Sequence, residues 1–415
     1  MSDARRVLRH RAVRQYLLST ALAALGLNIF VTVLFKQVFD VTGDELDIGW
    51  LGLAQFLPAA LLVLVSGWVA DRFDRRRVSG FFLFVRAMAC VALIAVSRGD
   101  PSSVWPFLFV AFAFGAADGM LAPARRAIAP FTVPEVDFPH TVAIWTATFT
   151  ASSIVGPVAG GFLYVAGPSI AYTVAAVLQL LSIAPLLMLR YHREPTRNTD
   201  RPSLSSAMEG LRFVRRSPIV LAAISLDLFA VLFGGAVALI PVVASERLGV
   251  GDIAYGWLRA APGIGAATMA VVLAIRPVQR RVGPVLLWVV ALFGVGNVAF
   301  GLTRTYWIAF VALVVAAGAD MVSMYIRGSL VPLATPDDQL GRVTAVEGVF
   351  IGASNELGAF ESGVAARAVG VPWAIAGGGA ITIFIAGSFA LLFPSLRKID
   401  TFDEVRPDAV SRTPG

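Results

Sequence analysis

Several polar side chains stand inside long apolar stretches, where a charge costs roughly 3 kcal/mol on insertion scales and is a functional candidate by default. Asp118, Asp227, Asp320 and Glu356 are the carboxylates of interest, and Asn28 and Asn355 are neutral polar groups at similar depth. A carboxylate can carry a proton at neutral pH if burial away from cations favours its neutral form. Asp227 and Glu356 fit that requirement. Asp118 and Asp320 are each followed, seven residues on, by Arg125 and Arg327. That spacing keeps each pair on one helical face, about 10 Å apart along the axis. It suits a fixed ion pair as well as a proton carrier. Asn28 reads equally as a cavity group or a packing residue. Three scattered histidines and the lone Cys90 offer no metal cluster and no nucleophile with a base, so an intramembrane enzyme is the weakest reading.

The elements that must hold these groups are membrane-spanning helices. The chain has 415 residues, 57% hydrophobic and only 15% charged, where a soluble domain carries about 25% charged. Apolar runs at 16–38, 48–70 and 78–96 open the sequence. Each approaches the roughly 20 residues needed to cross a bilayer core. Backbone in lipid must satisfy its own hydrogen bonds, and the alternation of a membrane barrel is absent, so the runs are helices. Twelve are expected: 15–38, 48–70, 78–97, 104–129, 139–165, 169–189, 218–244, 253–275, 284–303, 306–333, 342–366 and 372–394. The N-terminal basic segment and its long apolar run read as a retained first helix, not a cleaved signal.

The charge pattern sets an orientation. With the N-terminus inside, 27 of the 34 Lys and Arg residues fall on the inside, in loops, tails or the inner ends of helices, and 5 fall on or near the outside. The positive-inside rule then places both termini in the cytoplasm. The net charge of +7 is spread between apolar runs, which argues against nucleic acid as a partner. A polar, arginine-rich stretch divides the chain into an N-terminal half (1–190), a linker (191–217), a C-terminal half (218–396) and a tail (397–415). Part of the linker, 204–214, reads as an amphipathic surface helix.

The halves repeat one another. Residues 115–125, GAADGMLAPAR, align with 317–327, AGADMVSMYIR. Asp118–Asp320, Arg125–Arg327, Pro130–Pro332, Pro134–Pro336, Gly156–Gly358 and Gly161–Gly363 are all separated by 202 positions. Gly49-Trp50-Leu51 and Gly256-Trp257-Leu258 match at a slightly different spacing. Two parallel six-helix repeats are an arrangement used by secondary transporters.

Between the second and third runs stands GWVADRFDRRRV, residues 67–78. It resembles the signature loop of the major facilitator superfamily, G-x-x-x-D-R-x-G-R-R, with Gly67, Asp71, Arg72, Arg75 and Arg76 at the matching positions. Asp74 stands where the general pattern has glycine, a form similar to the subgroup containing the enterobactin exporter. The resemblance implies that Asp71 docks at the start of the eleventh helix and takes part in gating. GPVAGG at 156–161 resembles the core of the antiporter motif of drug exporters, carried here by Gly156, Pro157, Gly160 and Gly161. The arginine usual within the fourth helix of drug antiporters is absent.

The resemblance implies an all-α integral membrane protein of major facilitator fold, with two pseudo-symmetric six-helix halves. It implies a monomeric multi-pass protein of a bacterial inner membrane that exports a small amphipathic molecule, drug- or siderophore-like, in exchange for protons. Its partners would be that substrate, protons and membrane lipids, with no cofactor. Uptake symport and lysophospholipid flipping are the alternatives on the same fold.

Overall fold

The structure, a computed structural model, describes residues 7–134, 137–190 and 204–405. Among these residues there is no strand. The order is α1 (Arg11–Thr42), α2 (Glu45–Arg72), α3 (Arg75–Arg98), α4 (Trp105–Arg126), α5 (Phe138–Val165), α6 (Pro168–Leu187), a linker helix (Leu204–Arg216), α7 (Pro218–Phe233), α8 (Asp252–Ile275), α9 (Val282–Leu302), α10 (Tyr306–Leu333), α11 (Asp337–Val369) and α12 (Val371–Leu392). Eleven spans in the described residues are long and apolar enough to cross a membrane. The one expected span outside these eleven, α11, has the length at 33 residues but carries Asp337, Asp338, Arg342, Glu347, Glu356, Glu361 and Arg367. Composition alone does not mark it as a span.

The seventh expected helix, 218–244, is not continuous. α7 stops at Phe233, and a 3-10 turn (Ala236–Leu239), a short helical turn and a π turn (Val243–Arg247) follow. Gly234 and Gly235 make the break. A Cβ on Gly234 would collide with the Phe293 ring, and one on Gly235 would lie 2.8 Å from the Gly358 carbonyl carbon. The paired glycines let α9 and α11 approach the backbone closely. They weaken the helix at that point, and Pro241 removes a further donor.

The described chain forms two compact units. One holds residues up to 202 together with 250–260; the other holds 203–249 and everything from 261. The first turns of α8, assigned by sequence to the C-terminal half, therefore pack within the first unit. In that unit α2 lies on α4, where Gly119 admits Ala59, whose Cα would be 2.7 Å from an added Cβ. α1 packs on α6 at Gly26, which faces the Ala175 carbonyl. The Phe30 and Phe114 rings stack at 3.9 Å, bringing α1 against α4.

The second unit uses the same device. Gly294 of α9 and Gly379 of α12 face each other's carbonyls, each 2.6 Å from where a Cβ would stand. Lipid supplies little hydrophobic drive between helices, so small residues that permit close backbone contact set these interfaces. The linker helix docks on α11: Gly210 faces the Arg342 carbonyl, and Glu209 pairs with Arg342 at 3.0 Å. After α12 the chain returns to α9, where the Val282 and Gly283 N–H groups donate to the Asp400 and Ile399 carbonyls. Leu396, Ile399 and Val405 are buried there, so the first part of the expected tail is packed structure.

Candidate functional site

In the first unit the fourth-helix pair Asp118 and Arg125 does not close on itself. Asp118 accepts a hydrogen bond from Arg86 of α3, Nη1 to Oδ1 at 3.1 Å. The Arg86 side chain is only 3% exposed and that of Asp118 is 46% exposed. The Arg86 guanidinium lies 4.7 Å from the centre of the Phe114 ring, so an aromatic face supplies part of its solvation. Arg125 turns instead to α1, donating from Nη2 to the Thr20 hydroxyl at 2.9 Å. Its carbonyl accepts from the Tyr16 hydroxyl at 3.2 Å.

In the second unit the equivalent arginine meets a carboxylate. Arg327 Nη2 is 2.6 Å from Asp227 Oδ1, and the two side chains are 6% and 7% exposed. The expectation that Asp227 sits away from cations is therefore corrected: α10 delivers Arg327 onto α7 directly. Asp227 lies 207 positions after Thr20, the separation that also relates Gly256 to Gly49. The repeat thus places both arginines against the first helix of their own unit, with a hydroxyl at one site and a carboxylate at the other. Asp320 shares helix α10 and lies within electrostatic reach of Asp227 and Arg327. Among the described residues it has no ion pair. Glu347 of α11 is half-buried and also within reach of Arg327 and Asp227.

The loop between α2 and α3 is a staple of the first unit. Asp74 caps α3 by accepting from the Arg76 backbone N–H at 2.9 Å and holds the Arg76 guanidinium through Nη2 at 2.9 Å. Arg76 Nη1 then donates to the Leu189 carbonyl beyond α6 at 2.7 Å. Arg75 donates from Nε to Ala70 and from Nη1 to Ala127, past the end of α4. Arg72 stacks over Trp68. Partial burial of Asp74 raises its pKa, but the Arg76 side chain and the Arg76 and Arg77 backbone N–H groups outweigh it and hold the carboxyl below its usual range. The aspartate found in place of the pattern's glycine thus has a local task. Gly67 lies in α2, and so does Asp71, whose side chain lies outside the described residues.

The glycines of α5 form a seam. Gly156 abuts the Asn28 side chain of α1, and Gly160 faces Thr32. A Cβ on Gly161 would lie 2.5 Å from the Asp252 carbonyl, and one on Gly256 would lie 2.8 Å from that of Pro157. Asn28 donates to the Ala24 carbonyl of its own helix at 2.8 Å. Asn355 is exposed and donates to Ile351; Glu356 is half-buried on the same helix.

Sequence reasoning missed the cluster at the seam's end. Lys36 pairs with Asp40 at 2.5 Å and lies 3.5 Å from Asp252. The Tyr164 hydroxyl donates to Asp40, and Tyr255 donates to the Thr32 carbonyl at 2.8 Å. The spacing of Lys36 and Asp40 was the available signal: they sit four residues apart on one helix, and Lys36 is one of two lysines in the chain. Thr20 was also missed, because a hydroxyl in an apolar run carries no mark of its partner.

Comparison with known proteins bears on what this arrangement serves. Residues 16–324 match the family model described as Major Facilitator Superfamily. The chain is 26% identical over 392 residues to YfiS of Bacillus subtilis, described as an uncharacterized MFS-type transporter, covering 89% of this chain and 90% of the relative. It is 25% identical over 349 residues to the enterobactin exporter EntS of Escherichia coli, covering 81% of each. Among solved structures, the POT family transporter PepTSo superposes with a TM-score of 0.72 at 10% identity, covering 94% of this chain and 98% of that one. The nucleoside transporter NupG superposes with a TM-score of 0.61 at 15% identity, covering 94% and 99%. These last two likenesses concern the fold.

Proposed function

This chain belongs to the major facilitator superfamily, and from that premise we propose that it exports a small amphipathic molecule across a bacterial inner membrane in exchange for protons. The observation that carries the coupling is the group in the second unit: one guanidinium, Arg327, closed on Asp227, with two further carboxylates, Asp320 and Glu347, within electrostatic reach of that pair. Arginine stays protonated at any physiological pH. With Asp227 engaged by Arg327, the low-dielectric surroundings favour overall neutrality. The Asp227–Arg327 pair is neutral by itself, so each further carboxylate reaches neutrality by binding a proton, and we assign the coupling proton to Asp320, which shares helix α10 with Arg327 and has no ion pair among the described residues. Asp320 thus replaces Asp227 and Glu356 as the preferred coupling residue.

Direction rests on other support. The relation to an enterobactin exporter over 81% of both chains and the Gly156–Gly161 seam of α5 both favour export. The test uses everted membrane vesicles and a dansyl-labelled alkyl amide as a fluorescent amphiphile. Acidifying the vesicle interior drives probe inward if the protein is a proton-coupled exporter, and Asp320→Asn abolishes the response. Loss of preloaded probe under the same gradient identifies uptake symport instead. No response in either sense refutes proton coupling.

A further inference from the structure

The two units carry opposite excess charge at equivalent depth in the repeat. In the second, the carboxylates Asp227, Asp320 and Glu347 outnumber the one guanidinium, Arg327. In the first, two guanidinium groups, Arg86 and Arg125, interact with one carboxylate, Asp118. Neither arginine can shed its proton. Their donors are also underused: Arg86 Nε and Nη2 and Arg125 Nη1 are buried without a hydrogen-bond partner. Thr20 is neutral and satisfies one Arg125 nitrogen only. Phe114 offers Arg86 a π face, not an acceptor oxygen. Buried donors and buried charges are ordinarily matched, and here both the charge count and the donor count fall short by one anion. Asp118 is the accessible member, with nearly half of its side chain exposed while the Arg86 it holds is buried.

We propose that the first unit binds the acidic group of the substrate at Arg86 and Arg125, with Asp118 as the counter-ion it displaces. The inference rests on the transport reading and narrows it to amphiphiles bearing a carboxylate or a like oxyanion. A guanidinium fork matches such a group bidentately. Asp118 then holds Arg86 between cycles, and its exposed carboxylate is the one that can move aside.

The experiment measures binding of dansylaminoundecanoic acid, its primary amide and its amine counterpart to the full chain in neutral detergent, by fluorescence. The acid is expected to bind at least about tenfold more tightly than the amide, the scale of one charge-assisted hydrogen bond, and the amine most weakly. Arg125→Gln and Arg86→Gln bring the acid-to-amide ratio towards one, while Arg125→Lys retains part of it. Asp118→Asn raises affinity for the acid and leaves the amide unchanged, which a purely structural salt bridge would not do. If Arg86→Gln fails to fold, the Arg125 and Asp118 variants decide. A ratio near one in the unaltered protein, no binding of the acid, or weaker acid binding in Asp118→Asn overturns the proposal. So does competition by phosphatidylglycerol as strong as by the acid, since the site would then be a lipid headgroup site. Vesicle transport of the amide separates the two readings. Transport without acid preference removes this site and leaves export standing; acid preference without transport does the reverse.

Discussion

Replacing Arg327 by glutamine should make the protein's stability newly dependent on pH, in an amount that charge balance sets. The Asp227–Arg327 pair is 2.6 Å long and more than nine-tenths buried at both ends. Without the guanidinium, Asp227 must either stay charged in a dry site or bind a proton. An aspartate titrates near 3.9 when free, so holding it neutral at pH 7 costs about 4 kcal/mol and at pH 5 about 1.5 kcal/mol. The folded Arg327→Gln protein binds one proton more than the unaltered protein. Its deficit therefore shrinks as pH falls, by about 2.7 kcal/mol between pH 7 and pH 5. For a cooperative unit of about 200 residues this corresponds to roughly 5 to 10 °C in Tm. The double variant Asp227→Asn/Arg327→Gln restores the original proton count, so its Tm offset should be small and flat with pH. Thermal unfolding of the purified protein in detergent at pH 5, 6, 7 and 8 measures all three. A deficit in Arg327→Gln that stays constant across this range, or a double variant as pH-sensitive as the single, refutes the charge-balance argument and with it the assignment of a bound proton to the group around Arg327.

The remaining expectations are local. Asp74→Ala should lose about 1 kcal/mol through the α3 cap, whereas Asp74→Asn keeps the cap and loses only the partly exposed Arg76 pair, worth less than about 1 kcal/mol. Because the folded carboxyl titrates below its usual range, this contribution is present above about pH 4 and lost as pH falls through the folded value; a Tm gap that persists undiminished at pH 3 contradicts it. Gly161→Ala meets the Asp252 carbonyl at 2.5 Å and should cost about 1–3 kcal/mol by overpacking. Gly251→Ala, with nothing within 4 Å, serves as the control, and equal Tm values for the two would remove the seam as a close contact.

The sequence by itself determined the apolar spans, α11 excepted, the 202-residue repeat pattern and the family. Each rests on a periodic or local property: twenty apolar residues cross a bilayer wherever they occur, and a 202-residue offset is visible without coordinates. The signature loop is likewise contiguous. Even Asp74's departure from the pattern was legible, although its purpose was not. What the sequence did not determine is who faces whom. Asp227 and Arg327 are 100 positions apart and Arg86 and Asp118 are 32 apart, and nothing local marks either pair. Helix rotation and packing select the partner, and in a low-dielectric interior the partner decides whether a carboxylate is a counter-ion or a proton carrier. Tertiary structure therefore put Arg327 on Asp227, the contact on which the proposed coupling role of Asp320 rests, and set Asn28 against Gly156. It also broke the seventh helix at Gly234 and Gly235, because the close approach of Phe293 and Gly358 needs backbone without side chains, a demand that only the neighbouring helices impose.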